Sequence, residues 1–128
     1  MTDAYEICVS VGSNADDAYE MVRSALKFLG QFMRGARVST IYTTPAVNGC
    51  GLIYHNAVAI GMVDIPIERV VCLFREWESE NGRKREVADD GRCIVAIDLD
   101  VVMVNGVVVR EKDFEREYFQ RGYRELII

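Results

Sequence analysis

The sequence predicts an α+β sandwich of the split βαβ type, with two helices lying on one face of an antiparallel sheet. Three observations lead there. Apolar residues alternate over residues 5–11 and dominate 38–43, 54–62 and 93–104, the mark of strands half or wholly buried. They recur at helical spacing over 15–33 and 67–80. The segments follow one another as strand, helix, strand, strand, helix, strand, which is the order of the ferredoxin-like βαββαβ sandwich.

Each element has a local reason. In the first strand Tyr5, Ile7, Val9 and Val11 alternate, and Gly12-Ser13-Asn14 stops it. The next helix carries Ala18, Met21, Val22, Ala25, Leu26, Leu29 and Phe32 at helical spacing. Ser13 or Asn14 is its expected cap, with Asp16 and Asp17 in the positive first turn and Gly30 or Gly35 at the exit. Residues 38–43 are rich in Val, Ile, Thr and Tyr and read as the second strand. Residues 44–52 contain Pro45, Asn48, Gly49 and Gly51 and form a loop longer than a tight hairpin, which signals a functional loop. Residues 54–62 are the third strand. Asp64-Ile65-Pro66 supplies a cap and a first-turn proline for a helix marked by Ile67, Val70, Val71, Phe74 and Trp77. Residues 81–92 are polar and read as a mobile surface loop. The fourth strand, 93–104, ends at Asn105-Gly106, a strong hairpin signal, with its return over 107–110. The last stretch, 113–128, reads as a short helix near 113–120 and then a strand-like end. The expected whole is an antiparallel sheet with two helices on one face plus a C-terminal hairpin.

The length of 128 residues suits one domain over 1–128. Half the residues are hydrophobic, which excludes intrinsic disorder and supports a core without metal or disulfide staples. Fifteen basic against twenty acidic side chains give a net charge of −5, which argues against a general nucleic-acid binder. No window approaches the roughly 20 apolar residues of a membrane span. The start, Met1-Thr2-Asp3-Ala4, is neither a basic signal region nor a transit peptide. Cys8, Cys50, Cys72 and Cys93 lack the paired spacing of a zinc site. Cys8, Cys72 and Cys93 fall in apolar segments and read as buried thiols, so a reducing cytoplasm is the expected compartment. The one histidine, His55, excludes chemistry that needs two.

Four constellations could carry chemistry. Asp98 and Asp100 lie two apart on a strand, so they share a face, with Cα atoms about 6.6 Å apart. Cys93, Val95, Ile97, Leu99, Val101 and Met103 form the other, continuous apolar face. Two carboxylates so placed repel unless a cation joins them, and oxygen ligands of this kind suit Mg²⁺. A solvated strand face is the plainer reading, although the neighbours Ala96 and Val102 are apolar. Gly12-Ser13-Asn14 could hold an anion at a helix start or be a turn with a cap. Tyr54 and Asn56 share a face beyond Thr44-Pro45, and an Asn amide offers a donor and an acceptor to a flat heterocycle, or is satisfied by backbone. Arg83, Lys84 and Arg85, with Arg121, are candidate phosphate ligands or a solvated charge run. His55 faces away from Tyr54 and Asn56, and Trp77 belongs to the core.

Taken in order, these pieces resemble the hydroxymethyldihydropterin pyrophosphokinases of folate biosynthesis. The anchors are V-G-S-N (11–14), S-T-I-Y-T-T-P (39–45), Y-H-N-A-V (54–58), E-x-x-x-G-R (78–83) and D-L-D (98–100), and the resemblance runs from about residue 5 to residue 126. It implies the ferredoxin-like fold and transfer of pyrophosphate from ATP to the pterin's hydroxymethyl oxygen, releasing AMP. It also implies two Mg²⁺ ions on the triphosphate, held by Asp98 and Asp100. Tyr54 and Asn56 match the pterin-reading strand, and Thr44, Pro45 and Val47 the loop wall. Arg121-Gly122-Tyr123 matches an Arg-Gly-aromatic motif, with Arg121 near phosphate and Tyr123 against the pterin. Arg83 matches a loop arginine on the triphosphate. Val95 stands where the family carries an arginine, and Arg92 is the nearest substitute. The stretch 89–95, just before Asp98, lacks the family's Trp, and Glu115, Arg116 and Glu117 stand near the family's His position. ATP and a pterin are the implied partners, with no nucleic acid and no membrane. Two other readings stay open: a relative that binds a pterin-like ligand without turnover, and an interaction module that associates through its sheet.

Overall fold

The computed structural model describes residues 3–46, 52–81, 85–87 and 93–127. Its elements are β1 (Tyr5–Ser13), α1 (Ala18–Phe32), β2 (Arg34–Val38), β3 (Tyr42–Pro45), β4 (Ile53–Val63), α2 (Ile67–Glu80), β5 (Arg85–Val87), β6 (Cys93–Val95), β7 (Asp98–Val104), β8 (Val107–Val108), α3 (Glu111–Glu115) and α4 (Glu117–Ile127). The main sheet runs β2-β4-β1-β7-β8, with β3 also pairing β4, and all its pairings are antiparallel. β5 and β6 form a separate ribbon. This is the expected α+β, ferredoxin-like sandwich.

Alternation builds the core. Ile7, Val9 and Val11 of β1, Ala57 and Ala59 of β4, and Leu99 and Val101 of β7 turn to one face. Val22, Ala25 and Leu29 of α1 and Val70 and Phe74 of α2 cover them. Trp77 stacks on Phe28 at 5.0 Å between the two helices, in the core as expected. The opposite face is covered at one end only, where Cys8, Val58, Ile60, Val102 and Met103 pack against Phe119 and Leu126 of α4.

The C-terminal stretch departs most from expectation. Residues 113–127 carry no strand-like end; α3 and α4 occupy them. Phe119, Gly122 and Leu126 are buried at spacings of three and then four, so a helix hides all three against the sheet. A strand would split them between two faces. The second strand is likewise not one run over 38–43. Ser39 donates its N–H to Val58 O at 2.8 Å, and its Oγ accepts Val58 N–H at 2.9 Å, a place a backbone carbonyl would hold in a ladder. β2 therefore ends at Val38, and β3 begins at Tyr42.

The fourth strand is split between β6 and β7, because β6 joins β5 while β7 joins β1. Cys8 pairs with Met103 and Val9 with Val101, so a bulge leaves Val102 without a partner on β1. Met103 consequently turns to the second face beside Cys8 and does not extend the apolar face of Ile97, Leu99 and Val101. Asn105 (φ 50°) and Gly106 (φ 78°) make the expected hairpin turn, but the return strand pairs only over Val107–Val108.

Neither Ser13 nor Asn14 caps α1. Its N-cap is Asp17, without a side-chain bond. Pro66, not Asp64, stands at the N-cap of α2, and Asp64 pairs with Arg34 at 2.7 Å. Cys8 is buried, whereas Cys72 is exposed, since it lies off the Val70 and Phe74 stripe of α2. Cys50 and the side chain of Cys93 lie outside the described residues. The 81–92 stretch is not all loop: Arg85–Val87 form β5, paired with β6, and residues 82–84 and 88–92 lie outside the described residues. Among the described residues no helix is long and apolar enough to cross a membrane.

Candidate active site

The central strand sets the geometry. Gly12 of β1 pairs with Asn56 on one side and Asp98 on the other, and Ser10 pairs with Asp100. Neighbouring strands lie about 4.8 Å apart, so Asn56 and Asp98 stand roughly 10 Å apart across a floor without a side chain. A Cβ on Gly12 would lie 3.3 Å from Asn56 Oδ1 and 3.7 Å from Tyr54 Cδ2. Beside the N-terminal end of α4 this face opens into a cavity of about 510 Å³. Thr44, Pro45, Ala46, Tyr54 and Asn56 line one side, Arg75, Asp98 and Asp100 the other, and Arg110, Asp113 and Tyr118 also contribute. The volume suits a small-molecule site.

Each wall is braced. Asn56 is buried, and its Nδ2 donates to Thr44 Oγ1 at 2.7 Å and to Tyr54 O at 3.4 Å. Asn14 Oδ1 accepts Val95 N–H at 2.6 Å, and Asn14 N–H donates to Val95 O at 3.1 Å. The V-G-S-N segment thus fastens the chain just before the aspartates. Arg75 pairs with Glu78 at 2.6 Å and with Asp100 at 3.1 Å. Burial works against the Arg75 charge, but hydrogen bonds and charges from Glu78 and Asp100 outweigh it and hold the guanidinium above the usual arginine range. Arg110 Nε donates to Asp113 at 2.5 Å, and Tyr118 donates its hydroxyl to the other Asp113 oxygen. Burial, then the Asp113 bond and charge, push Tyr118 well above the usual tyrosine range, so it is a neutral donor.

Thr44, Pro45, Tyr54, Asn56, Asp98 and Asp100 therefore meet in one cavity. Arg121 is exposed on α4 with its guanidinium 5.0 Å from the Tyr42 ring centroid, and Tyr123 stacks on Phe119 at 5.3 Å. Neither lines the cavity. Val47, Arg83 and Arg92 lie outside the described residues. His55 points to the α1 side, edge-on to Tyr19 at 6.3 Å. Sequence reasoning missed Ser10, Ala46, Arg75, Arg110, Asp113 and Tyr118. The three-residue spacing of Arg75 and Glu78 on one helix is the signal for that pair. Arg110, Asp113 and Tyr118 carry none, because α3 and α4 bring them here only after folding.

Among the described residues no three His, Cys, Asp or Glu side chains group as a ready metal cage. Asp98 and Asp100 nevertheless fit a divalent ion. Asp100 already holds a cation, the Arg75 guanidinium, and both carboxylates line a cavity with room for water and phosphate oxygens. Mg²⁺ is commonly bound in that way, through one or two carboxylates plus substrate phosphates.

The 7,8-dihydro-6-hydroxymethylpterin-pyrophosphokinase family profile matches residues 8–127, nearly the whole chain. The chain belongs to this family. A comparison with curated proteins returns no match. Members of the 7,8-dihydro-6-hydroxymethylpterin-pyrophosphokinase family are pyrophosphokinases of folate biosynthesis that use ATP with Mg²⁺. The matched segment contains the whole cavity, from Ser10 to Tyr118.

Proposed function

We propose that the protein transfers pyrophosphate from ATP to 6-hydroxymethyl-7,8-dihydropterin, giving the pterin diphosphate and AMP. One observation carries this reading within the family: a single cavity has Asp98 and Asp100 on one side and Thr44, Pro45, Tyr54 and Asn56 on the other. A pterin is flat with an amide-like edge, which the Asn56 amide, held by Thr44, is suited to read. Pro45 and Tyr54 wall the ring; the family resemblance assigns Val47 and Tyr123 to it as well, Tyr123 from its place against Phe119 outside the cavity. The hydroxymethyl oxygen attacks the β-phosphorus as the bond to the oxygen bridging the α and β phosphorus atoms breaks. AMP leaves with that oxygen, and the hydroxyl proton passes to water.

Such transfers depend mainly on alignment and charge neutralisation. Two Mg²⁺ ions, held by Asp98 and Asp100, supply neutralising charge to the triphosphate when bound. The family resemblance assigns Arg83, Arg92 and Arg121 to phosphate oxygens, with Arg121 reaching in from the surface of α4 beside the Tyr42 ring. The whole of 1–128 acts as one domain, and the free thiols of Cys8 and Cys72 suit a reducing cytoplasm.

Protein, ATP, Mg²⁺ and 6-hydroxymethyl-7,8-dihydropterin should together release AMP, and EDTA should stop the release. Folded protein that yields no AMP above background sinks the proposal; calorimetry would then identify a relative that binds pterin without turnover. Asp98→Ala should lower kcat by about 10² or more. Asn56→Ala should raise the KM for pterin about tenfold, equivalent to about 1.4 kcal/mol, while the KM for ATP stays put.

A further inference from the structure

The two terminal nitrogens of Arg75 have different attachments. Nη1 lies 2.6 Å from each Glu78 oxygen and 3.2 Å from Leu99 O. Glu78 is wholly buried and accepts Leu99 N–H at 2.7 Å, so this end is tied to the backbone of β7. Nη2 lies 3.1 Å from Asp100 Oδ1, a longer contact to a side chain that is 22% exposed and lines the cavity. The guanidinium is anchored by one nitrogen and presents the other to the cavity.

We propose that Arg75 is a resident counter-cation of Asp100, which a divalent metal displaces, and that its released Nη2 then donates to a nucleotide phosphate oxygen. The proposal rests on the ATP- and metal-dependent reading above. A metal arriving alone must take Asp100 from a cation and then sit beside that cation, with repulsion that grows as the local dielectric falls. A triphosphate arriving with the metal removes both penalties, because its oxygens bind the metal on one side and Nη2 on the other. Metal and nucleotide therefore load together. The planar fork of arginine allows one edge to keep its carboxylate while the other changes partner, which a lysine ammonium cannot do. A purely structural ion pair predicts that removing Arg75 weakens every affinity. The displaced-cation role predicts opposite signs for metal alone and for metal with nucleotide.

The probe is Mn²⁺, followed by electron paramagnetic resonance of the free ion, first alone and then with a non-hydrolysable methylene analogue of ATP. In Arg75→Gln, Mn²⁺ alone should bind about tenfold tighter and Mn²⁺ with the analogue about tenfold more weakly, a size usual for linked sites. Because that variant removes the Arg75 charge from the buried Glu78, Arg75→Gln/Glu78→Gln is measured beside it and should move both affinities in the same directions. An affinity for Mn²⁺ alone that is unchanged or weaker in both variants overturns the proposal. Tightening in the single variant only would trace to Glu78 and overturns it as well. Tightening in both variants, in a wild-type protein that releases no AMP, supports the Arg75 assignment and overturns the pyrophosphokinase reading instead.

Discussion

Glu78 is a carboxylate with no solvent contact that accepts the Leu99 N–H and pairs with the Arg75 guanidinium. Removing one partner of such a buried pair is far more disruptive than losing a surface ion pair, since the remaining polar groups are left unsatisfied. Glu78→Ala should cost about 3 kcal/mol of stability by this reasoning, read as a lower urea midpoint with an unchanged slope. A midpoint within error of the wild type would show that Arg75 and Leu99 find other partners. The E-x-x-x-G-R motif made Glu78 visible in the sequence. Its burial was not visible, because that depends on β7 lying across the end of α2. Gly12 is a similar case: the sequence suggested that it stops the first strand, but it lies within β1 (Tyr5–Ser13), and its role as the open floor between Asn56 and Asp98 belongs to the pairing of three strands.

Among elements, α4 packs tightly on the sheet at Gly122. A Cβ there would stand 2.7 Å from Tyr42 Oη, 2.7 Å from Val58 Cγ2 and 3.0 Å from Ser39 Oγ. Gly122 N–H donates to Tyr42 Oη at 3.0 Å, and Tyr42 Oη donates to Tyr118 O at 2.5 Å, so the helix docks through that tyrosine. Gly122→Ala should force α4 outward and destabilise by about 1–3 kcal/mol, as overpacking does. The thermal midpoint should fall by at least about 3 °C, and an unmoved midpoint would mean the interface has slack. In the sequence Gly122 was legible only as the middle of Arg-Gly-aromatic. That the segment is a helix was not legible, because the face it covers is made by β1, β4 and β7.

For the whole molecule, that α4 layer makes stability depend on alkaline pH. Burial, with the charge of Glu6 adding, pushes the Cys8 thiol up from 9.0 to about 12. Burial also dominates at Tyr42, opposed by the Gly122 N–H and aided by Glu125, and moves it from 10.0 to about 12. Both groups stay protonated in the folded chain at pH values where the unfolded chain has lost those protons. The unfolded state then binds fewer protons, so stability falls with rising pH. The contribution is complete below about pH 9 and is lost progressively up to about pH 12. Urea unfolding at about pH 8 and about pH 10.5 should show the decline, and Cys8→Ala should make it shallower. Equal stability at the two pH values would contradict the burial of both groups.

The sequence by itself determined the first and third strands, the two long helices, the Asn105-Gly106 turn and the shared face of Asp98 and Asp100. Those features follow from the periods of two and 3.6 residues that any backbone imposes on its own side chains. Only the tertiary structure decided that Gly12 lies between Asn56 and Asp98, that Arg75 reaches Asp100, and that the chain ends in a helix. Each of these rests on contacts between segments far apart in sequence. Strand register and the burial of a second sheet face are settled by the whole set of strands together, so no local pattern records them.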